Sequence, residues 1–303
     1  MKSGNNHLVI LDFDGTIART AEPSPNRIDV NAASRSAVGK IFGDEGLSFY
    51  DEVLGGLQNR EPGELVAKMI DGLGWRGNGF TAKGATEYFV AAKLSELLGE
   101  ISPLWPQLYP GVRGFFRAVE SKTIPVDVAI VSSGHDEFIK KVFKAQDLTC
   151  PEILVTSDVM RDKEMPQRPR YKPNPYQLAL AHMLWMDGRS DLLHLGKEGM
   201  VYVGDDPKKD GGVAERSRIP FIFVPFTANG FVLREDAGQV AVNDFREITA
   251  IFQRNADEMR NGKSMAEVLT GKKYEEIFSP VVEGRLYARM LAEQPSQRGI
   301  ERR

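Results

Sequence analysis

Asp12 and Asp14 stand two residues apart in the string Asp12-Phe13-Asp14-Gly15-Thr16. Paired carboxylates at this separation can divide two tasks. One attacks phosphorus in line to form an acyl phosphate, while the other protonates the leaving oxygen and then activates water. Gly15 permits a tight turn behind them, and Thr16 can open the next helical turn. Asp-Gly pairs are common in solvated turns, but a full D-x-D-G-T string arises by chance in only about one chain of this length in 500. It also follows directly on the apolar run Leu8-Val9-Ile10-Leu11, the pattern of a buried strand that delivers side chains to a loop.

A second acidic stretch, Gly204-Asp205-Asp206-Pro207-Lys208-Lys209-Asp210, follows another apolar run at 200–203. Carboxylates from two strands suit a small, hard cation that keeps several waters and also binds phosphate oxygens, which is the behaviour of Mg2+. Asp205, nearest the strand end, is the candidate direct ligand. Asp210 could act through water or hold a lysine, Asp206 serves equally well as a helix cap, and Lys208 and Lys209 read as solvated.

A phosphate dianion approaches several carboxylates only where a fixed cation offsets them. Lys172 is a candidate because Pro173 and Pro175 stiffen its backbone ahead of a helical pattern at 176–185; Arg161, Lys163, Arg168 and Arg170 lie just before it as alternatives. Ser132, after the apolar run 128–131, can offer its hydroxyl to a phosphate oxygen alongside nearby backbone amides such as that of Gly134, with Ser133 the alternative hydroxyl. None of the four histidines has a paired ligand spacing, and no G-x-x-x-x-G-K-[ST] loop is present, which argues against a histidine-held metal and a P-loop.

Further apolar runs at 126–131, 153–155 and 221–224 also end in polar or proline residues, and helical patterns at 114–120, 137–145, 175–185 and 212–216 separate them. Strands alternating with helices predict an α/β fold: a three-layer Rossmann-like core with a mostly parallel sheet, whose ligands bind beyond the carboxyl ends of the strands. Residues 17–108 break the alternation with helical patterns at 35–42, 50–54, 61–73 and 83–98, bounded by prolines on both sides. The expected organisation is a core of 1–17 and 109–252, an inserted helical cap of 18–108, and a C-terminal helical extension of 253–303. Ser264 and Glu267 form a capping-box pattern within that extension.

Composition sets the surroundings. The chain has 303 residues, 42% hydrophobic and 27% charged, with a formal charge of -3, which offers no electrostatic footprint for nucleic acid. Cys150 is the single cysteine, which excludes an internal disulfide and suits a reducing compartment. No apolar stretch reaches the length of a signal core or a membrane span, so the expectation is a cytoplasmic protein without membrane contact.

Taken in order, Asp12 to Thr16, Ser132, Lys172 with its prolines, and Gly204-Asp205 to Asp210 resemble the four motifs of the haloacid dehalogenase superfamily, over about residues 8–224. The resemblance implies Mg2+ and an aspartyl-phosphate intermediate, with Asp12 as nucleophile and Asp14 as acid and base. It further implies that Ser132 and Lys172 bind the phosphoryl group, and that Asp12, the Asp14 carbonyl and Asp205 hold the metal, with Asp210 beside them. The helical insert is similar to the type I cap of phosphoglycolate phosphatase and beta-phosphoglucomutase, and residues 55–60 look like its specificity loop, making Arg60 a candidate substrate contact. Arg19 stands where many such members carry an acidic residue, which points to a more anionic substrate; the basic stretch 161–170 and the tail beyond Phe252 also depart from the pattern. The implied activity is a phosphatase for a small phosphorylated metabolite. A phosphomutase would share every core motif, and a catalytically silent scaffold member fits poorly with intact Asp12, Asp14, Lys172 and Asp205.

Overall fold

The computed structural model describes residues 7–22, 29–54, 62–75, 81–99, 105–162, 172–187, 196–224 and 237–278. Strand β1 (Leu8–Leu11) is buried along its whole length, with Val9 and Leu11 in the apolar cluster on one face and Leu8 and Ile10 in the cluster on the other. A run covered on both faces needs strands on both edges and helices above and below. It lies between β2 (Asp127–Val131) and β4 (Met200–Gly204), with Leu11 opposite Ile130 on one side and Val203 on the other. With β3 (Ile153–Val155), β5 (Phe221–Phe223) and β6 (Gln239–Ala241), the six parallel strands run in the order β3-β2-β1-β4-β5-β6. The winding direction reverses between β1 and β4, where an open α/β sheet leaves a crevice at its carboxyl edge.

One face of the sheet is covered by α4 (Val112–Glu120), α5 (Asp136–Ala145) and α9 (Phe245–Arg254), through Phe115, Phe143 and Phe252 among others. The other is covered by α7 (Tyr176–Met186) and α8 (Asp210–Ser217), through Leu178, Trp185 and Val213. The six-residue α6 (Ser157–Asp162) leads away from β3. This is the three-layer, parallel arrangement that the alternating apolar runs predict. Two elements have no counterpart in that reading: α6, and β6, whose three residues begin on a glutamine and are too short to show a period.

The 17–108 interval holds α1 (Val30–Phe49), which continues into wider π-type turns over Tyr50–Leu54, then α2 (Pro62–Leu73) and α3 (Ala82–Leu98). α1 reaches beyond the expected 35–42 because it carries on through a kink at Gly43, whose φ of 67° is open to glycine. These helices share a smaller apolar cluster of their own, centred on Val38, Phe42, Met69 and Phe89. The chain leaves and re-enters the sheet domain through two adjacent segments. Ala18 bridges Leu108, Arg19 N–H donates to Gln107 O at 2.9 Å, and Tyr109 N–H donates to Ile17 O at 3.0 Å.

After α9 come α10 (Ala256–Arg260), α11 (Met265–Thr270) and α12 (Tyr274–Ile277). Met259 and Met265 are fully buried in the same cluster as Val9 and Leu11, and Ser264 and Glu267 form the capping box. The described part of this segment packs on the core through Met259 and Met265. No helix among the described residues is long and apolar enough to cross a membrane.

His7, 1% exposed, donates from Nε2 to Lys263 O at 2.7 Å and so ties β1 to this C-terminal segment. Its Nδ1 is buried without a partner among the described residues, and burial holds its pKa below the ordinary 6.5. Between that lowered value and 6.5 the unfolded chain takes up a proton that the folded chain refuses, so this residue's contribution to stability falls as pH drops through the window. His7→Gln keeps an N–H donor but does not titrate. The difference in unfolding free energy between variant and wild type should therefore shift in the variant's favour as chemical denaturation is repeated from pH 7.5 down to about 5.5; a pH-independent difference refutes the assignment.

Candidate active site

Asp12 extends the ladder of β1 by one step, its N–H donating to Val203 O at 2.9 Å, so its carboxylate emerges at the crevice between β1 and β4. Phe13 turns the opposite way and is fully buried, its ring 6.4 Å from that of Phe138 and 6.3 Å from that of Phe143. This aromatic plug fixes the loop from below and leaves Asp12 and Asp14 on its functional side. Gly15, at φ 80°, makes the turn; a Cβ there would stand 2.4 Å from Asp205 Oδ2. Thr16 donates its hydroxyl to Asp205 Oδ1 at 3.1 Å. The turn therefore binds the Asp205 loop rather than merely preceding it.

Lys172 Nζ lies 2.6 Å from Asp12 Oδ1 and 3.0 Å from Asp210 Oδ1, with only 4% of its side chain exposed. Burial pulls its ammonium down, but the two carboxylates more than offset this and hold it above the ordinary lysine value. Its segment is tied to α8 by Arg216 Nη1, which donates to Pro173 O at 2.8 Å. Asp210, the first residue of α8, is fully buried and accepts from the Tyr202 hydroxyl at 2.9 Å and from Asp206 N–H at 3.1 Å. Asp206 accepts from the N–H groups of Lys208 and Lys209, each at 2.9 Å, as a turn cap. Gly204 has to be glycine, because a Cβ there would lie 2.4 Å from Asp210 Oδ2.

Among the described residues, Asp12, Asp205 and Asp210 each bring a carboxylate oxygen within 4.8 Å of the others. Burial first, with repulsion from Asp210 and Asp205 behind it, raises the Asp12 carboxyl well above its ordinary range, against the pull of Lys172. Burial and then Asp210 push Asp205 up to about 6. Three carboxylates and one ammonium leave an excess charge of minus two, and an all-oxygen donor set fits a hard divalent cation.

Asp14 lies apart from that group. Its Oδ2 accepts from Ser132 Oγ at 3.2 Å, and Ser132 Oγ in turn accepts from Gly134 N–H at 2.9 Å. A Cβ at Gly134 would come within 3.1 Å of Ser132 Oγ and 3.3 Å of Asp14 Oδ2, so the backbone passes close over both. Ser133 is exposed beside them. The turn is held from the start of α6, where Ser157 Oγ donates to Gly134 O at 2.8 Å and Asp158 contacts both His135 Nδ1, at 3.0 Å, and Asp136 N–H, at 2.9 Å.

Arg19 stacks on the Tyr109 ring at 5.0 Å and pairs with Glu22 at 3.2 Å, at the point where the chain leaves the sheet domain. Tyr109 donates to Glu22 Oε1 at 3.3 Å, and its hydroxyl is pushed up to about 12 by burial and by the Glu22 charge. Arg60, Lys163, Arg168 and Arg170 lie outside the described residues, as does the side chain of Arg161.

Two site residues escape the motif reading. Tyr202 sits in an apolar strand run and looks like core. Lys93, on α3, is drawn down by burial and pulled back up by the charge of Asp14. The signal for Lys93 was its place four residues from both Phe89 and Leu97, a cation on an otherwise buried helical stripe.

A parallel doubly wound sheet with paired aspartates at its switch point, and two further carboxylates and a lysine around them, puts an acidic site in the crevice where such sheets bind ligands. The haloacid dehalogenase-like hydrolase family matches residues 7–217, and the chain belongs to it. No curated protein matches the chain in sequence. Among solved structures, CbbY from Rhodobacter sphaeroides, in complex with phosphate, is similar at 16% identity and a TM-score of 0.51, covering 80% of this chain and 96% of that one. A predicted phosphoglycolate phosphatase from Haemophilus somnus 129pt is similar at 15% identity and a TM-score of 0.49, covering 83% of this chain and 99% of that one. At 16% identity the likeness to CbbY speaks to the fold alone.

The closeness of Gly15 to Asp205 yields a test of the acidic group. Gly15→Ala must push the Asp205 carboxylate aside and also strains a left-handed backbone by about 1 kcal/mol. Calorimetric titration with MgCl2 should show at least a roughly tenfold weaker fit than wild type, while the melting temperature drops by no more than about 5 °C. Unchanged Mg2+ affinity overturns the expectation that Asp205 is a ligand.

Proposed function

We propose that the chain is a Mg2+-dependent phosphatase that hydrolyses a small phosphomonoester in the cytoplasm through an aspartyl-phosphate intermediate. The observation that carries this reading is the split setting of the paired aspartates: Asp12 meets Lys172 and the carboxylates of Asp205 and Asp210, whereas Asp14 meets Ser132. Asp12, Asp205 and Asp210, with the Asp14 carbonyl, would hold Mg2+, which supplies charge neutralisation to the carboxylates and to the phosphate oxygens.

A carboxylate oxygen of Asp12 attacks phosphorus; the ester P–O bond breaks, and the leaving oxygen takes the proton of the Asp14 carboxyl. Asp14, now a carboxylate, accepts a proton from water as the water oxygen attacks phosphorus. The bond to Asp12 breaks, inorganic phosphate leaves, and both aspartates return to their starting forms. Lys172 offsets the charge gathered at phosphorus, and Ser132, with the backbone at Ser133 and Gly134, orients the phosphoryl oxygens. Gly15 and Thr16 shape the floor beneath them.

Helices α1–α3, with an apolar cluster of their own, act as a cap over the crevice, excluding water and choosing the leaving group. Lys93 reaches Asp14 electrostatically from α3, so the proposed cap brings a cation to the leaving-group side. Arg19 contributes at the cap's root, where it is paired with Glu22. A small, anionic phosphorylated metabolite is the substrate class these charges favour.

Purified protein with Mg2+ should release phosphate from one or more members of a panel of sugar phosphates, phosphoglycolate, nucleotides and phosphorylated amino acids, and EDTA should stop the release. Asp12→Asn should lower turnover by about a thousandfold or more with the melting temperature within a few degrees of wild type. Silence across the whole panel, or an active Asp12→Asn, would sink this reading.

A further inference from the structure

Tyr202 has no role in the transfer as written, yet it is fully buried beneath the site with both ends of its side chain engaged. It lies on β4 two residues before Gly204, on the face that packs against Ile10 and Phe221 rather than the face of Val201 and Val203. Its hydroxyl donates to Asp210 Oδ1 at 2.9 Å, the same oxygen that meets Lys172 Nζ at 3.0 Å. Lys172 Nζ also stands 5.3 Å from the centre of the Tyr202 ring, within the range of a cation–π contact. Asp210 Oδ2 is held separately by Asp206 N–H.

Lysine carries a point charge on a flexible four-carbon stem, so its direction is set by what surrounds the ammonium. Asp12 alone cannot fix it, because that carboxylate is also the reacting group. The stationary anchor is Asp210, and among the described side chains that touch Asp210, Tyr202 is the neutral donor fixed by a strand. A tyrosine serving only as core filler against Phe221, whose ring lies 6.1 Å away, would gain nothing from its hydroxyl.

We propose that Tyr202 is a positioning residue: its hydroxyl locks Asp210 and its ring bounds Lys172, so that the ammonium is held against Asp12. The proposal rests on the phosphatase reading above for its consequence on rate, but its geometric part does not. Removing the hydroxyl leaves a buried carboxylate one donor short while preserving the ring and nearly all the volume.

The test compares wild type, Tyr202→Phe, Asp210→Asn and the double variant with Mg2+ and p-nitrophenyl phosphate. Melting temperatures are recorded, and acetylation of Lys172 by an N-hydroxysuccinimide ester is followed by mass spectrometry with Lys93 as internal reference. Tyr202→Phe should melt within a few degrees of wild type and lose about tenfold in kcat with KM changed less than about twofold. Lys172 acetylation should accelerate several-fold while that of Lys93 stays constant. Because Tyr202 acts through Asp210, the double variant should be no slower than Asp210→Asn alone. Unchanged kcat with unchanged Lys172 labelling, or losses that multiply in the double variant, overturns the proposal. A wild type inactive on every ester defeats the phosphatase reading instead, and the labelling rates then decide alone whether Tyr202 holds Lys172.

Discussion

Three carboxylates share a space 4.8 Å across, largely out of water, and their mutual repulsion is the constraint to which the rest of the site answers. At an effective dielectric of about 20, each pair of charges at that distance costs roughly 3 kcal/mol, before any cost of leaving water. Lys172, at 2.6 Å and 3.0 Å from two of the three, offsets part of this and is itself kept charged by them. One cation is not enough. Asp12 is still raised well above the ordinary carboxylate range and Asp205 to about 6, which is the electrostatic form of a site built to receive further positive charge.

The fold sustains this arrangement because little of it depends on flexible side chains alone. Asp12 is a direct continuation of a central strand, Asp205 follows the next strand, and Asp210 begins the helix after it. Two glycines let these segments close up: a Cβ at Gly15 would strike Asp205, and one at Gly204 would strike Asp210, each at 2.4 Å. Opposite them, Phe13 sinks into the aromatic cluster of α5 and converts apolar burial into a fixed direction for the residues on either side. The burial that stabilises the sheet and the placement of the acidic group are consequences of the same strand.

Much of this was legible in the sequence because short, fully apolar runs ending in aspartate have few readings, and the parallel sheet and its carboxyl edge follow from them. The six-strand order and the family both agree with that reading. What the sequence could not show depends on partners distant in the chain. Tyr202 is indistinguishable from filler until Asp210 folds back eight residues to meet its hydroxyl. Lys93 is a single charge on a buried stripe, and its relation to Asp14 spans about eighty residues of chain. Arg19 reads as an open cation in the sequence, whereas in the fold Glu22 and Tyr109 surround it. β6 and α6 are too short for any period to register.

That last pairing bears on how the proposed cap can move. Its two connections lie side by side, joined through Ala18 and Leu108 and by hydrogen bonds from Arg19 and Tyr109, so they must bend as a unit. The returning strand is also fixed below: Phe245 N–H donates to Pro110 O at 3.2 Å, and Gly111, at φ 83°, sits so close to α9 that a Cβ would stand 2.4 Å from Arg246 N. With 110–111 clamped to the core, the paired segments above carry the Arg19, Tyr109 and Glu22 contacts. Tyr109 also feels the charge of Asp205. The connection between the sheet domain and the helical insert therefore meets the acidic group at one tyrosine.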